Sequence, residues 1–301
     1  MTELSERGRA ECRVFFEIAG KMLDVRLRGL SEPPASDKWN KLQAFSLDEA
    51  QVAGREPDVI VDLEIADQVP VTVDESMHWN VNVYEGGDPE ARRFVRPGML
   101  EWVCYREPVR RVVGRCVLAW DMWLSACRVG LLSALEDDTD SLIVHSSAVA
   151  GPAGAVMFVG PSGVGKTTAA RLRPEGTWII ADELVVVSLD SSSGPMVSAF
   201  PFAGIESARA GLFELRHLVF LESGEEDRLL PISLADAVGR LSRELRVIKP
   251  DLVSLSQRLM EQTPVHVLER RSGRSFWSLV EQDCLGSPSQ GAPVRQEVEH
   301  G

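Results

Sequence analysis

The chain has 301 residues, 44% of them hydrophobic and 26% charged, a make-up that supports a folded core in one large domain or two ordinary ones. Lys and Arg number 32 against 45 Asp and Glu, and the formal charge of −13 argues against a nonspecific grip on nucleic acid or on an anionic membrane. Cys12, Cys104, Cys116, Cys127 and Cys284 are odd in number and form no CxxC pair, which argues against a disulfide framework or zinc cluster and for a reducing, cytoplasmic setting.

The opening, MTELSERGRAECR, is charged and does not read as a signal peptide. CRVFFEIAGKMLDVRL (12–27) predicts two strands about an Ala-Gly-Lys turn. DVIVDLEI (58–65), HWNVNVYEGG (78–87) and LEWVCYR (100–106) predict further strands, with SEPPASDKWN (31–40) as a loop between. Trp39 and Trp79 are expected in the core or at its rim. VLAWDMWLSACRVGLLSAL (117–135) carries Asp121 and Arg128 in its interior, so it reads as a buried amphipathic helix rather than a membrane span.

From residue 140 the pattern alternates. SLIVHSSAVAGPAGAVMFVG (141–160) reads as a hairpin turning at Gly151–Gly154, and TWIIADELVVVSLD (177–190) as a strand ending near Asp182 and a second apolar run. LRHLVFLE (215–222) and TPVHVLERR (263–271) predict strands. SLADAVGRLSREL (233–245) and DLVSLSQRLMEQ (251–262) predict amphipathic helices N-capped by Ser233 and Asp251, and SFWSLVEQ (275–282) a last short helix. The chain therefore divides into a β-rich N-terminal region (1–115), an α/β domain that includes the leading helix (116–284), and a disordered Gly/Ser/Pro/Gln tail (285–301).

The chemistry lies in GPSGVGKTT (160–168), which follows an apolar strand and precedes a helix-forming run. Gly160, Gly165, Lys166 and Thr167 satisfy G-x-x-x-x-G-K-[ST]. In that pattern the backbone N–H groups of Gly160, Ser162, Gly163, Val164, Gly165, Lys166, Thr167 and Thr168 surround phosphate oxygens, Lys166 reaches the β- and γ-phosphates, and Thr167 ligates Mg²⁺. An N-K-x-D guanine-reading pattern is absent, which favours ATP over GTP. The loop does not say whether the terminal phosphate passes to water or to a hydroxyl. WIIADEL supplies Asp182 and Glu183 at a strand end, where adjacent side chains diverge and one can face a metal while the other faces a substrate. His145, at the end of the neighbouring strand, can hydrogen-bond a carboxylate and tune it.

The order of His145, hairpin, glycine loop and Asp182–Glu183, with AFPFAGIE (199–206), LRHLVFLE and LLPISLADAVGRL (229–241), resembles the catalytic domain of HPr kinase/phosphorylase and its relatives over residues 140–282. The resemblance implies a phosphoenolpyruvate-carboxykinase-like P-loop fold. It also implies an ATP- and Mg²⁺-dependent kinase that phosphorylates a serine or other hydroxyl of a peptide, protein or small molecule. Carried over residue by residue, it implies Asp182 as the base, His145 as the group orienting it, Lys166 on phosphate, and Thr167 with Glu183 around Mg²⁺. Three positions depart from the family pattern. Glu183 stands where the family has a second Asp, Ser146 follows the His in place of Gly, and PFAGIE, with Gly204 and Glu206, lacks the Arg of the bifunctional signature. Support for the phosphorylase reaction and for HPr as acceptor is thereby withdrawn, and the acceptor stays open. Arg209, Arg216 and Arg246 are secondary candidates for phosphate, His217 and His266 read as packed strand residues, and the acidic run 222–227 as a solvated turn. The alternative function is a nucleotide-binding switch or slow ATPase acting on partner proteins, and a homo-oligomer is left open.

Overall fold

The computed structural model describes residues 10–69, 82–85, 91–96, 99–106, 109–118, 122–189, 194–202, 209–246, 249–271 and 273–281. The protein is mixed α/β and divides into two compact units, Met1–Thr139 and Asp140–Gly301. Trp79, Gly204, Glu206, Cys284, the interior Asp121 and the tail from 285 lie outside the described residues.

In the first unit β1 (Glu11–Ile18) and β2 (Lys21–Arg28) form a hairpin across Ala19 and Gly20. Both turn residues have positive φ, which matches the twist of the paired strands. Then come α1 (Asp37–Leu42), β3 (Ser46–Leu47), α2 (Glu49–Val52), β4 (Val59–Ile65), β5 (Asn82–Glu85), β6 (Ala91–Arg96), β7 (Leu100–Tyr105) and β8 (Arg110–Cys116). The sheet order is β3-β1-β2-β4-β8-β7-β6-β5, with the central β2–β4 and β4–β8 pairs parallel. The expected loop at 31–40 gives way to a helix at Asp37. Ser36 accepts a hydrogen bond from the Trp39 N–H, and the Trp39 ring then packs beside Phe16 and Trp123 in the core.

The helix α3 (Met122–Glu136) packs on β8, β4 and β2, so the expected boundary near 115 is corrected to 139/140. The sequence pattern groups this helix with the α/β domain. Gly130 shows why it belongs to the first sheet, because a Cβ there would lie 2.6 Å from Val59 Cγ1 and 3.3 Å from Val112 Cγ2. Only a bare glycine lets the helix lie that close. No helix among the described residues is long and apolar enough to cross a membrane. Cys12, Cys104, Cys116 and Cys127 are free and buried, and burial pushes the Cys116 thiol up to about 12, which makes it inert.

Asp24, fully buried on β2, is the charged centre of this unit. Burial alone would raise its pKa, but hydrogen bonds from Arg13 (2.9 and 2.8 Å) and Arg26, with their charge, outweigh it and hold the carboxyl below its ordinary range. A carboxyl depressed on folding contributes stability above its unfolded value of about 4, and loses it as pH falls through the folded value. Asp24→Asn is therefore expected to lower the unfolding free energy at pH 7 by about 1.5–3 kcal/mol and by much less at pH 3. Urea titrations at the two pH values measure this, and an equal loss at both would contradict it.

In the second unit β9 (Ser141–Gly151) turns at Pro152-Ala153 into β10 (Gly154–Val159). The order continues α4 (Lys166–Arg171), β11 (Trp178–Ala181), β12 (Leu184–Ser188), β13 (Met196–Ala199), β14 (Phe213–Ser223), β15 (Arg228–Pro231), α5 (Leu234–Glu244), α6 (Leu252–Gln262), β16 (Val265–Arg270) and α7 (Trp277–Val280). The 11-residue β9 pairs with β12 through His145, and with β10 from Ser146 on. β14 likewise pairs with β13 at Phe213 and Glu214, then runs parallel to β10 and to β16. These pairings close β9, β12, β13, β14 and β10 into a circuit. The core beneath α4 gathers Val156, Phe158, Ala169, Val219, Leu221, Leu268, Phe276 and Trp277. Ser233 caps α5 through its side chain, as its sequence predicts. Asp251 occupies the N-cap of α6 but makes no side-chain cap bond.

Candidate active site

Strand β10 is apolar because both of its edges are paired and its side chains are buried, and it ends by releasing the chain into the glycine loop 160–165. Pro161, Ser162 and Gly163 are exposed. Val164 turns its N–H inward onto Pro161 O at 3.3 Å, whereas the N–H groups of Gly163 and Gly165 have no acceptor among the described residues. Gly165, at φ +100, forms the N-cap of α4. The position needs glycine for its conformation, and a Cβ there would sit 2.1 Å from Arg270 Nη2, so that the guanidinium would have to move.

Lys166 follows, 5% exposed, with its ammonium donating to Gly160 O (2.6 Å) and Pro161 O (3.1 Å). Burial lowers its pKa, with Glu244 opposing the shift and Arg246 adding to it, so both side chains lie within electrostatic reach. Thr167 donates its hydroxyl to Asp182 O at 3.3 Å, leaving the oxygen lone pairs for a cation. Ser147, fully buried, donates to the same carbonyl at 3.1 Å, and the Ser146 N–H donates to Glu183 O at 3.0 Å. Asp182 and Glu183 thus occupy the step between β11 and β12, fastened to β9 and to α4. Asp182 is 6% exposed, and Glu183 is exposed to solvent. The two neighbouring carboxylates face different surroundings.

His145 does not take the partner its sequence position suggests. The single hydrogen bond of its ring among the described residues runs from Nδ1 to Glu244 Oε2, at 2.8 Å, rather than to Asp182. Beyond the end of β10 the free edge of β9 is taken by the residues that follow α5. Val144 bridges Leu245, and the Arg246 N–H donates to Ile143 O at 2.9 Å. That bridge fixes Glu244, 8% exposed, between His145 and Arg246, whose Nη2 is 3.6 Å from the carboxylate. Glu244 is a residue that the sequence does not single out. It sits at the last turn of a helix predicted for its amphipathic face, and only its buried position distinguishes it from the surface acids.

The other candidates separate. Arg246 joins the site, while Arg209 stacks over Trp178 at 4.2 Å and Arg216 binds Ala153 O at the opposite end of β10. His217 and His266 stack on each other, ring centroids 5.8 Å apart, on β14 and β16. Thr168, at the first turn of α4, is exposed. No group of three or more His, Cys, Asp or Glu gathers as a metal cage among the described residues. A hard cation completed by phosphate oxygens and water needs only one or two protein ligands, which Thr167 and an adjacent carboxylate can supply. No family model matches the chain, and no curated protein does either.

Proposed function

We propose that the second unit is an HPr-kinase-like P-loop phosphotransferase that moves the γ-phosphate of Mg-ATP to a serine or other hydroxyl of a peptide, protein or small molecule. The carrying observation is the link from Thr167 Oγ1 to Asp182 O, which brings the step bearing both carboxylates onto the first turn after the glycine loop. Mg-ATP would supply the electrophilic phosphorus and the charge neutralisation of phosphoryl transfer. The chain's own groups do the rest. Glycine-loop N–H groups and Lys166 hold phosphate oxygens, and Thr167 with Glu183 would hold the cation. Asp182 takes the proton of the acceptor hydroxyl, and its burial keeps water from competing for it. The pair of His145 with Glu244 holds the imidazole in one orientation at the edge of this group, where it can orient the acceptor. The negative charge of Glu244 also partly offsets the desolvation of Lys166.

Asp182→Asn is expected to reduce transfer by a factor of about 10²–10⁴, the range for losing a positioned general base, while nucleotide binding stays within about threefold. Terminally labelled ATP, incubated with a peptide pool or extract, measures it. Label on an acceptor with the intact protein and not with Asp182→Asn is the expected result. Label released only as free phosphate, equally by both proteins, would replace the kinase by the slow-ATPase or switch reading.

A further inference from the structure

Arg270 closes β16 at the same sheet edge as the glycine loop. Val159 pairs with Phe220, and Phe220 with Val267, so the three parallel strands β10, β14 and β16 deliver their carboxyl ends together. Ligands of α/β sheets gather at such ends. The guanidinium lies against the Gly165 backbone, its Nη2 donating to Gly165 O at 3.4 Å, and its Cζ stands 5.3 Å from the Phe276 ring centroid. Its Nε is buried with no hydrogen-bond partner among the described residues. Asp227 attracts it from a distance, but that carboxylate is engaged by the Arg271 N–H at 3.0 Å and by the Ser275 hydroxyl. Burial lowers the Arg270 pKa, the response of a cation short of compensation. A guanidinium serving only to brace the loop would close on the carbonyl at about 2.9 Å and pair its Nε. This one keeps a donor in hand beside the glycine loop.

Its side of the loop gives it a role. Asp182, Glu183 and Glu244 are held by β9, so the γ end of a bound triphosphate belongs on that flank. Arg270 stands on the opposite flank, formed by β14 and β16. We propose that Arg270 binds the α-phosphate of the nucleotide, through the fork of donors that a guanidinium offers to phosphate oxygens. The assignment rests on the nucleotide reading above and extends it to the nucleoside end of the ligand. Gly165 is part of the same arrangement, because any side chain there would displace the guanidinium.

Calorimetric titration of the full chain with Mg-ADP and with Mg-ATP tests it, in the wild type, Arg270→Gln and Arg270→Lys. Arg270→Gln is expected to weaken both nucleotides by the same factor of about ten or more, because both carry the α-phosphate. Arg270→Lys, keeping charge without the fork, should fall between. Unchanged ADP affinity in the variants overturns the proposal, and if Arg270→Gln does not fold, unchanged ADP affinity in Arg270→Lys does so alone. A loss confined to ATP overturns it too, since it would put the side chain at the γ-phosphate. A wild-type chain that binds neither nucleotide removes the nucleotide reading, and this assignment with it.

Discussion

Replacing Lys166 by alanine is expected to abolish phosphoryl transfer and to weaken Mg-ATP by about 10–100-fold, the range for losing charged hydrogen bonds, while the melting temperature of the protein holds or rises. Loss of function would normally accompany loss of fold at a residue only 5% exposed. Here the two separate, because the ammonium is a buried cation whose only hydrogen bonds among the described residues are to the carbonyls of Gly160 and Pro161 in its own loop. Burial lowers its pKa, and a group whose pKa is depressed on folding costs stability at every pH below its ordinary value near 10.5. Deleting it removes that cost and leaves two carbonyls, that of Pro161 on an exposed residue open to water and that of Gly160 on a buried one, a loss that offsets part of the gain. Calorimetric melting beside nucleotide titration decides the matter. A large fall in melting temperature with nucleotide affinity unchanged would mean that Lys166 is a structural strut.

Trp277→Ala carries the largest expected loss of stability, about 3–5 kcal/mol for truncating a buried aromatic residue. The ring is 2% exposed and meets Phe158 edge-on, centroids 5.3 Å apart at 86°. Its Nε1–H donates to Ala169 O at 3.0 Å, so one side chain ties α7 to the helix that begins with Lys166. Phe158 lies two residues before the glycine loop, so the cavity left behind would open under the strand that feeds the loop. Nucleotide binding should weaken along with stability. Trp277→Phe keeps an aromatic ring but loses the hydrogen bond and part of the bulk, and is expected to cost about 1–3 kcal/mol, less than Trp277→Ala. Urea denaturation of the three proteins provides the comparison. Equal stabilities for wild type and Trp277→Ala would show that α7 contributes nothing to the unit.

The parts of the site legible in the sequence are those built locally. The loop from Gly160 to Thr167, the strand before it and the Ser233 cap are each encoded within a few residues, by apolar runs, by glycines and by a side chain that reaches its own backbone. Glu244 and Arg270 were not legible, because they meet the site across 99 and 105 residues of chain. The pairings that carry them there, Val144 with Leu245 and β14 with β16, leave no local pattern. Helix α3 was recognised as buried, yet its apolar face is compatible with either sheet. The small gap at Gly130 decides which. The short helix α1 was lost in a Pro- and Ser-rich stretch, because six residues are too few to show a period.

The closed circuit of β9, β12, β13, β14 and β10 also fixes an order in time. During synthesis β10 emerges with its hairpin partner β9, but its other edge must wait for β14, whose first paired residue, Leu215, lies 60 positions beyond Ala155. Arg270 and Trp277 arrive later still. A nascent chain stopped short of β14 therefore presents the apolar run AVMFV with one side unclaimed, a segment suited to capture by a chaperone or by a second unfinished chain. If the glycine loop takes phosphate as proposed, the flanks that would hold it are complete only when almost the whole unit has left the ribosome, and an incomplete translation product would have no means of sequestering nucleotide.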